Sequence, residues 1–527
     1  MMQPAPENYL RRAWMAAAAL LGVLVAVSFI PPQSIGSIRL RRANILSDLV
    51  AFDDLPAPEA TPSAVFDEEE FQVDMEEVVE QIEADTLPPR VQTLFEWTLG
   101  RDTTARPVIR PDTAARPRRV IPIERFDTER ADGMHAFYDT LLAARRPVRI
   151  AVLGDSFIEG DILTADLREH LQVNYGGGGT GFAPMASPLT AFRRTVKTTS
   201  RGWTSYNIMQ RRKTPDELRD KFYVSGWVCQ PAEGASTRWE TTSYRRRLDA
   251  CTCGRIFFLS PADSRIEVTV NDSLRQEFAV EGDPAVRQVA VHAPRIASLA
   301  FRVLGGSEGF IGYGAILESD GITVDNYSIR SNNGQAMFWT NPSIDAQIDA
   351  MLGYDLVILQ YGLNIMQAGV YNYTNYAAKI EKMVGFVREC FPGAAVLILG
   401  VSDRAVRGEN GIRPMNSVPY MTSHQRQAAR RAEAAFWATS DAMRALGGME
   451  RFVQNGWAGK DHTHINYAGG TRIAQALFEA LDEGIRAAYE ERLRQQAAEQ
   501  AILDSLRLER IRRRLLFHAE PLKPTLP

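Results

Sequence analysis

The sequence predicts a doubly wound α/β core, interrupted by an inserted β-sandwich and preceded by an N-terminal transmembrane helix. Three observations carry this. First, the runs Ile150–Leu153, Leu356–Tyr361 and Ala394–Leu399 are continuously apolar, as strands of a parallel sheet covered on both faces must be, and helical spacing follows each. Second, between about 193 and 319 the period changes to alternation in Ile266–Val270, Val289–Val291 and Leu299–Val303, with turn residues such as Asn271-Asp272 between them. Third, Ala13–Ile30 carries no charge and ends at Pro31-Pro32. That length is near the minimum for a membrane span and long for a signal-peptide core.

In chain order, residues 1–42 read as an uncleaved signal anchor. Arg11 and Arg12 precede the span, Arg39, Arg41 and Arg42 follow it, and the short leading tail favours export of what comes after. Residues 43–120 read as a low-complexity tether. Asp67–Asp85 is strongly acidic and Pro88–Pro122 is rich in proline and arginine. Only a short helix near Val73–Ile82 and the patch Val91-Leu94-Phe95-Trp97 could bury apolar surface. The α/β domain then occupies 121–192 and 320–482, split by the insert at 193–319. Helices are expected at Met134–Ala144, Ala377–Phe391, His424–Leu446 and Ala468–Leu481, and a charged helix over 483–527 closes the chain. The glycine run Gly176–Gly179 lacks the Gly-Lys-Ser/Thr ending of a phosphate loop and is expected as a tight loop beside the cleft.

Composition excludes some functions. A net charge of −4 gives nucleic acid no electrostatic foothold. Cys229, Cys251, Cys253 and Cys390 lack zinc-knuckle spacing; one disulfide within 229–253 or free buried thiols both fit. No cofactor or metal is called for.

The chemistry centres on Gly154-Asp155-Ser156, at the exit of the strand Ile150–Leu153, where a hydroxyl is exposed at the carboxyl edge of a sheet. About three hundred residues later, Asp461-His462-Thr463-His464 places an acid and an imidazole three apart, on one side of a single turn. Ser156 as nucleophile, His464 as base and Asp461 as its orienter would supply acyl transfer; His462 is the competing imidazole. The bland alternative is that Ser156 caps the next helix and His464 is a surface histidine.

These blocks, in this order, resemble the SGNH (GDSL) hydrolase family. The resemblance implies a serine esterase whose oxyanion donors are the Ser156 amide, a second-block glycine and the asparagine of Gly362-Leu363-Asn364, which follows the strand Leu356–Tyr361. Ile365 departs from the aspartate frequent at that point. For the second block, Gly334 is preferred to Gly181. A β module between the first two blocks resembles the arrangement in peptidoglycan O-acetyl esterases, which implies an envelope-facing enzyme removing acyl groups, acetyl foremost, from a cell-wall or extracellular glycan. Two other functions share these residues: a glycan O-acetyltransferase working with a membrane-bound acyl donor or acyltransferase partner, and a non-catalytic glycan-binding scaffold. Trp203, Trp227, Trp239 and Tyr244 in the insert would suit sugar stacking or a β core equally.

Overall fold

The computed structural model describes residues 92–100, 109–111, 120–408 and 411–518, with a few positions nearer the N-terminus. The chain divides into two units, 1–60 and 61–527. In the first, a short hairpin pairs Gln33–Ile35 with Ile38–Leu40. Among the described residues no helix is long and apolar enough to cross a membrane. The expected span Ala13–Ile30 lies almost wholly outside them, as does the acidic stretch 67–85.

In the second unit, five parallel strands form the catalytic sheet: β1 (Val148–Gly154), β2 (Ile322–Ser328), β3 (Leu356–Gln360), β4 (Ala395–Leu399) and β5 (Ala435–Trp437). Their spatial order is 2-1-3-4-5, with the short strand Glu124–Arg125 antiparallel at the β5 edge. β1, β3 and β4 are buried along their whole lengths, which explains their unbroken apolar sequences. In this order the connections reverse direction between β1 and β3. The crevice outside their carboxyl ends is where an open α/β sheet binds ligands. Packed around the sheet are α1 (Met134–Ala143), α2 (Thr164–Tyr175), α3 (Pro342–Leu352), α4 (Thr374–Cys390), α5 (Ser417–Arg431) and α6 (Tyr467–His518).

Several expectations need correction. The helix expected at His424–Leu446 is broken by β5: Glu433 turns into the left-handed region, and Ala435–Trp437 enters the sheet fully buried. Past the active-site loop, the expected boundary at 482/483 falls inside one continuous 52-residue helix, α6. Over 193–319 the strands form two halves, linked through the single Gly312–Cys229 bridge, that face each other across one core in the manner of a sandwich. There Phe258 packs on Phe301 and Phe310. Two strands from before residue 193 also join it. Gly178–Pro184, expected as part of a tight loop, pairs with Ile311–Ser319, because Gly179 and Gly314 leave no room for a Cβ against the facing backbone. Gln92–Thr98, assigned by sequence to the tether, adds an edge strand parallel to Asp283–Ile296, and Phe95 stacks on Phe278 at 4.5 Å.

The insert is joined to the catalytic sheet by buried charge. Arg149 on β1 bridges Glu318, on the last insert strand, and Asp325 on β2, while Arg255 bonds Glu318 at 2.6 Å. Burial pushes the Glu318 carboxyl up, but the two guanidiniums outweigh it and bring it down to about 2. Trp227 and Trp239, the insert tryptophans offered for sugar stacking, are both core residues. The four cysteines are free and buried, with burial raising each thiol.

Candidate active site

β1 ends at Gly154, whose missing side chain admits Ile158 and the Gln360 amide; any Cβ would lie within 3 Å of both. The chain then turns sharply through Asp155-Ser156-Phe157. Asp155 is fully buried and holds the turn by accepting the Phe157 N–H at 2.9 Å. This leaves Ser156 half-buried, with its hydroxyl and its amide free of hydrogen bonds among the described residues. A nucleophile needs that freedom, and so does an oxyanion donor.

The following loop is locked from below. Asp161, in a left-handed conformation, accepts from Arg168 at 3.1 Å, Arg193 at 3.0 Å, Thr164 at 2.7 Å and Asn326 at 3.0 Å. Burial opposes the charge, yet those guanidiniums and hydroxyls hold this carboxyl far below its ordinary range. Glu159 forms a buried ion pair with Arg330, tying the nucleophile turn to the segment after β2.

The acid and base come from the loop before α6. The Asp461 carboxylate accepts the backbone N–H groups of Thr463 and His464 on one oxygen, each at 3.1 Å, and His464 Nδ1 on the other at 2.6 Å. Packing raises this carboxyl, but the His464 contact and the two amides bring it below its ordinary value, so it is ionised at neutral pH. With Nδ1 donating to Asp461, Nε2 is left as the acceptor that a base needs. His462 sits in a left-handed conformation with Nδ1 against the Lys460 carbonyl at 2.7 Å, turned to another partner. The two imidazoles thus have different partners.

The His464 charge favours ionisation of both Asp155 and Glu159, which flank the serine. Tyr467 fixes the approach. At the start of α6 its hydroxyl bonds the carbonyls of Gly160 at 3.1 Å and Phe192 at 2.7 Å, so the base-bearing loop is pinned to the nucleophile loop.

Asn364 and Gly334 converge on the same turn, but both are engaged. The Asn364 amide donates to Asp155 at 3.1 Å and to the Asn332 carbonyl at 2.9 Å, and the Gly334 N–H donates to the Asn332 side chain at 2.8 Å. Gly334, expected as a donor, gives its N–H to the Asn332 side chain in this conformation. Its own glycine character is explained by φ of 96° and by Met383, which would meet a Cβ at 2.6 Å. Gly181, the other candidate, lies in the insert sheet against Val324 and Asp325.

Sequence reading missed Asp155 as a partner of Asn364, the Glu159–Arg330 pair and Tyr467. For Tyr467 a signal existed, since it follows His464 by three at a helix start. The ion pair joins residues 171 apart and left none.

A solved structure described as a peptidoglycan O-acetylesterase in action superposes with a TM-score of 0.57 at 22% identity, covering 69% of this chain and 99% of the other. The chain has the fold of that esterase. A family two carbohydrate esterase from Cellvibrio japonicus and a carbohydrate acetylesterase from Sinorhizobium meliloti match far more loosely. Their TM-scores are 0.24 and 0.23 at 9% and 16% identity, over 56% and 30% of this chain and 99% and 77% of theirs. No family model and no curated relative matches the sequence. The likeness to SGNH-type O-acetyl esterases, drawn from short sequence blocks, thus extends to the three-dimensional arrangement of the chain.

Proposed function

We propose that the protein is a serine esterase that removes O-acetyl groups from a cell-wall or extracellular glycan, with Ser156, His464 and Asp461 as its triad. One observation carries this: Ser156, without a hydrogen bond among the described residues, sits at the exit of β1 by the β1–β3 crevice, and a carboxylate holds His464 Nδ1 at 2.6 Å. Ser156 attacks the acetyl carbonyl while His464 takes its proton. The oxyanion collects on the Ser156 amide and on Asn364 as it leaves Asp155, with Gly334 joining if it releases Asn332. His464 then protonates the departing sugar oxygen, and water repeats the sequence to free acetate. The apolar stretch at 13–30 suits a chain that works tethered outside the cytoplasm.

The test is hydrolysis of 4-nitrophenyl acetate and release of acetate from O-acetylated glycan by the full chain. Ser156→Ala should remove on the order of 10⁴–10⁶ of kcat. Activity that survives the substitution at wild-type level would overturn the assignment.

A further inference from the structure

A groove of about 280 Å³ opens beside the acid–base loop, and its lining is basic: Arg404, Arg407 and Lys460 together with His462 and Asp461. Val406 and Ile412, from the hairpin that pairs Ala405–Gly408 with Gly411–Pro414, form an apolar wall. The hairpin is fastened to the acid–base loop by the Ala405 N–H, which donates to the His462 carbonyl at 3.1 Å. Groove and base therefore form one assembly.

The groove holds three cations and one carboxylate, and that carboxylate is already spent on His464 and two amides. Arg404 is anchored by one nitrogen on the Met366 carbonyl at 3.2 Å, while its Nε is buried with no partner among the described residues. Arg407 and Lys460 are open to solvent. Among the described residues the groove lining thus carries three cations against one carboxylate, beside the loop that bears the proposed base.

Position decides which part of a substrate meets it. Because His464 must hand its proton to the departing alcohol, the sugar leaves on the His464 side of the ester. The groove adjoins the loop that carries His464. We infer that Arg404, Arg407 and Lys460 form a subsite for an oxyanion, carboxylate or phosphate, carried by the glycan close to its acetylated sugar. Guanidinium forks suit both groups, and an apolar wall suits the face of a sugar ring. This inference rests on the esterase reading and assigns its substrate to the anionic glycans.

The experiment uses the full chain and the Arg407→Glu/Lys460→Glu double variant, with folding checked by circular dichroism. The substrates are three acetylated oligosaccharides of equal length, one neutral, one bearing carboxylates and one bearing phosphates, with 4-nitrophenyl acetate as reference. The ratio of kcat/KM on an anionic oligosaccharide to that on the neutral one should fall at least tenfold in the variant. The wild-type preference should also fade as salt is raised. Whichever anionic arm responds identifies the oxyanion. A ratio that stays put, or equal loss on every substrate, overturns the subsite. Should the wild-type chain hydrolyse nothing, the esterase reading fails separately. The subsite is then read from calorimetric binding of the deacetylated anionic oligosaccharides to the Ser156→Ala chain, with and without the two glutamates; equal affinities overturn it.

Discussion

At the scale of single residues, the two imidazoles of Asp461-His462-Thr463-His464 show how a few degrees of freedom divide roles. His464 turns back onto its own acid, whereas the left-handed backbone of His462 sends its ring to the Lys460 carbonyl. Replacing His464 by Ala should lower kcat on 4-nitrophenyl acetate by roughly 10³-fold or more. His462→Ala should change it by less than about threefold, since surface contacts of this kind contribute little. Steady-state kinetics on the two variants decide the matter, and comparable losses would mean the base has been assigned to the wrong ring. Asp155 shows a different lesson. Burial raises its carboxyl to about 7, against the pull of the Phe157 amide, His464 and Gln360. It is thus poised near neutrality while gripping the very amide that the oxyanion needs. Nothing in the tripeptide Gly154-Asp155-Ser156 announces this, because the partner Asn364 lies 209 residues away.

At the scale of elements, the legible parts were those whose physics is local. β1, β3 and β4 are apolar throughout because both faces are covered, and the Ser156 and Asn364 turns follow them directly. What escaped depended on distant partners. β5 is three residues long and flanked by alanines that fit a helix equally well. Gly178–Pro184 has no alternating pattern because close backbone approach to Leu317, rather than side-chain packing, defines it. Gln92–Thr98 finds its neighbour only near residue 290. The same distinction yields a prediction on helices. Gly470 in α6 faces the Ile162 carbonyl so closely that a Cβ would lie 1.8 Å from that oxygen, whereas Gly385 in α4 has nothing within 4 Å. Helix propensity alone would stabilise an alanine at either place by up to about 1 kcal/mol. At Gly470 the clash is with backbone that supports the nucleophile loop, and overpacking of this kind costs about 1–3 kcal/mol, so the sign reverses. Urea midpoints should fall for Gly470→Ala and rise for Gly385→Ala. A rise at both would show that α6 can shift away from the loop without penalty.

At the scale of the molecule, buried carboxyls should give the fold a stability maximum on the acidic side of neutrality. Burial raises Asp345 and Asp349 to about 7, as it does Asp155. Asp345 keeps its place through the Val224 amide at 3.0 Å and Thr340 at 2.7 Å, neutral donors that do not outweigh the loss of water. A carboxyl raised on folding binds its proton more tightly in the native state. Its contribution is therefore whole below about pH 4, the value in unfolded chains, and is lost as pH climbs through about 7. Glu318 works the other way. Held down to about 2 by Arg149 and Arg255 against the effect of burial, it stabilises above its unfolded value near 4.5 and loses that contribution as pH falls toward 2. Between these limbs, at roughly pH 4–5, the two sets of carboxyls oppose the fold least. Thermal unfolding followed from pH 3 to pH 8 should show Tm peaking there and declining toward neutrality. Asp345→Asn, which keeps the side-chain volume and cannot ionise, should flatten the decline on the neutral side and leave the acid limb untouched. A wild-type Tm that keeps rising through pH 7 would mean these carboxyls ionise at ordinary values, with water reaching them in the folded protein.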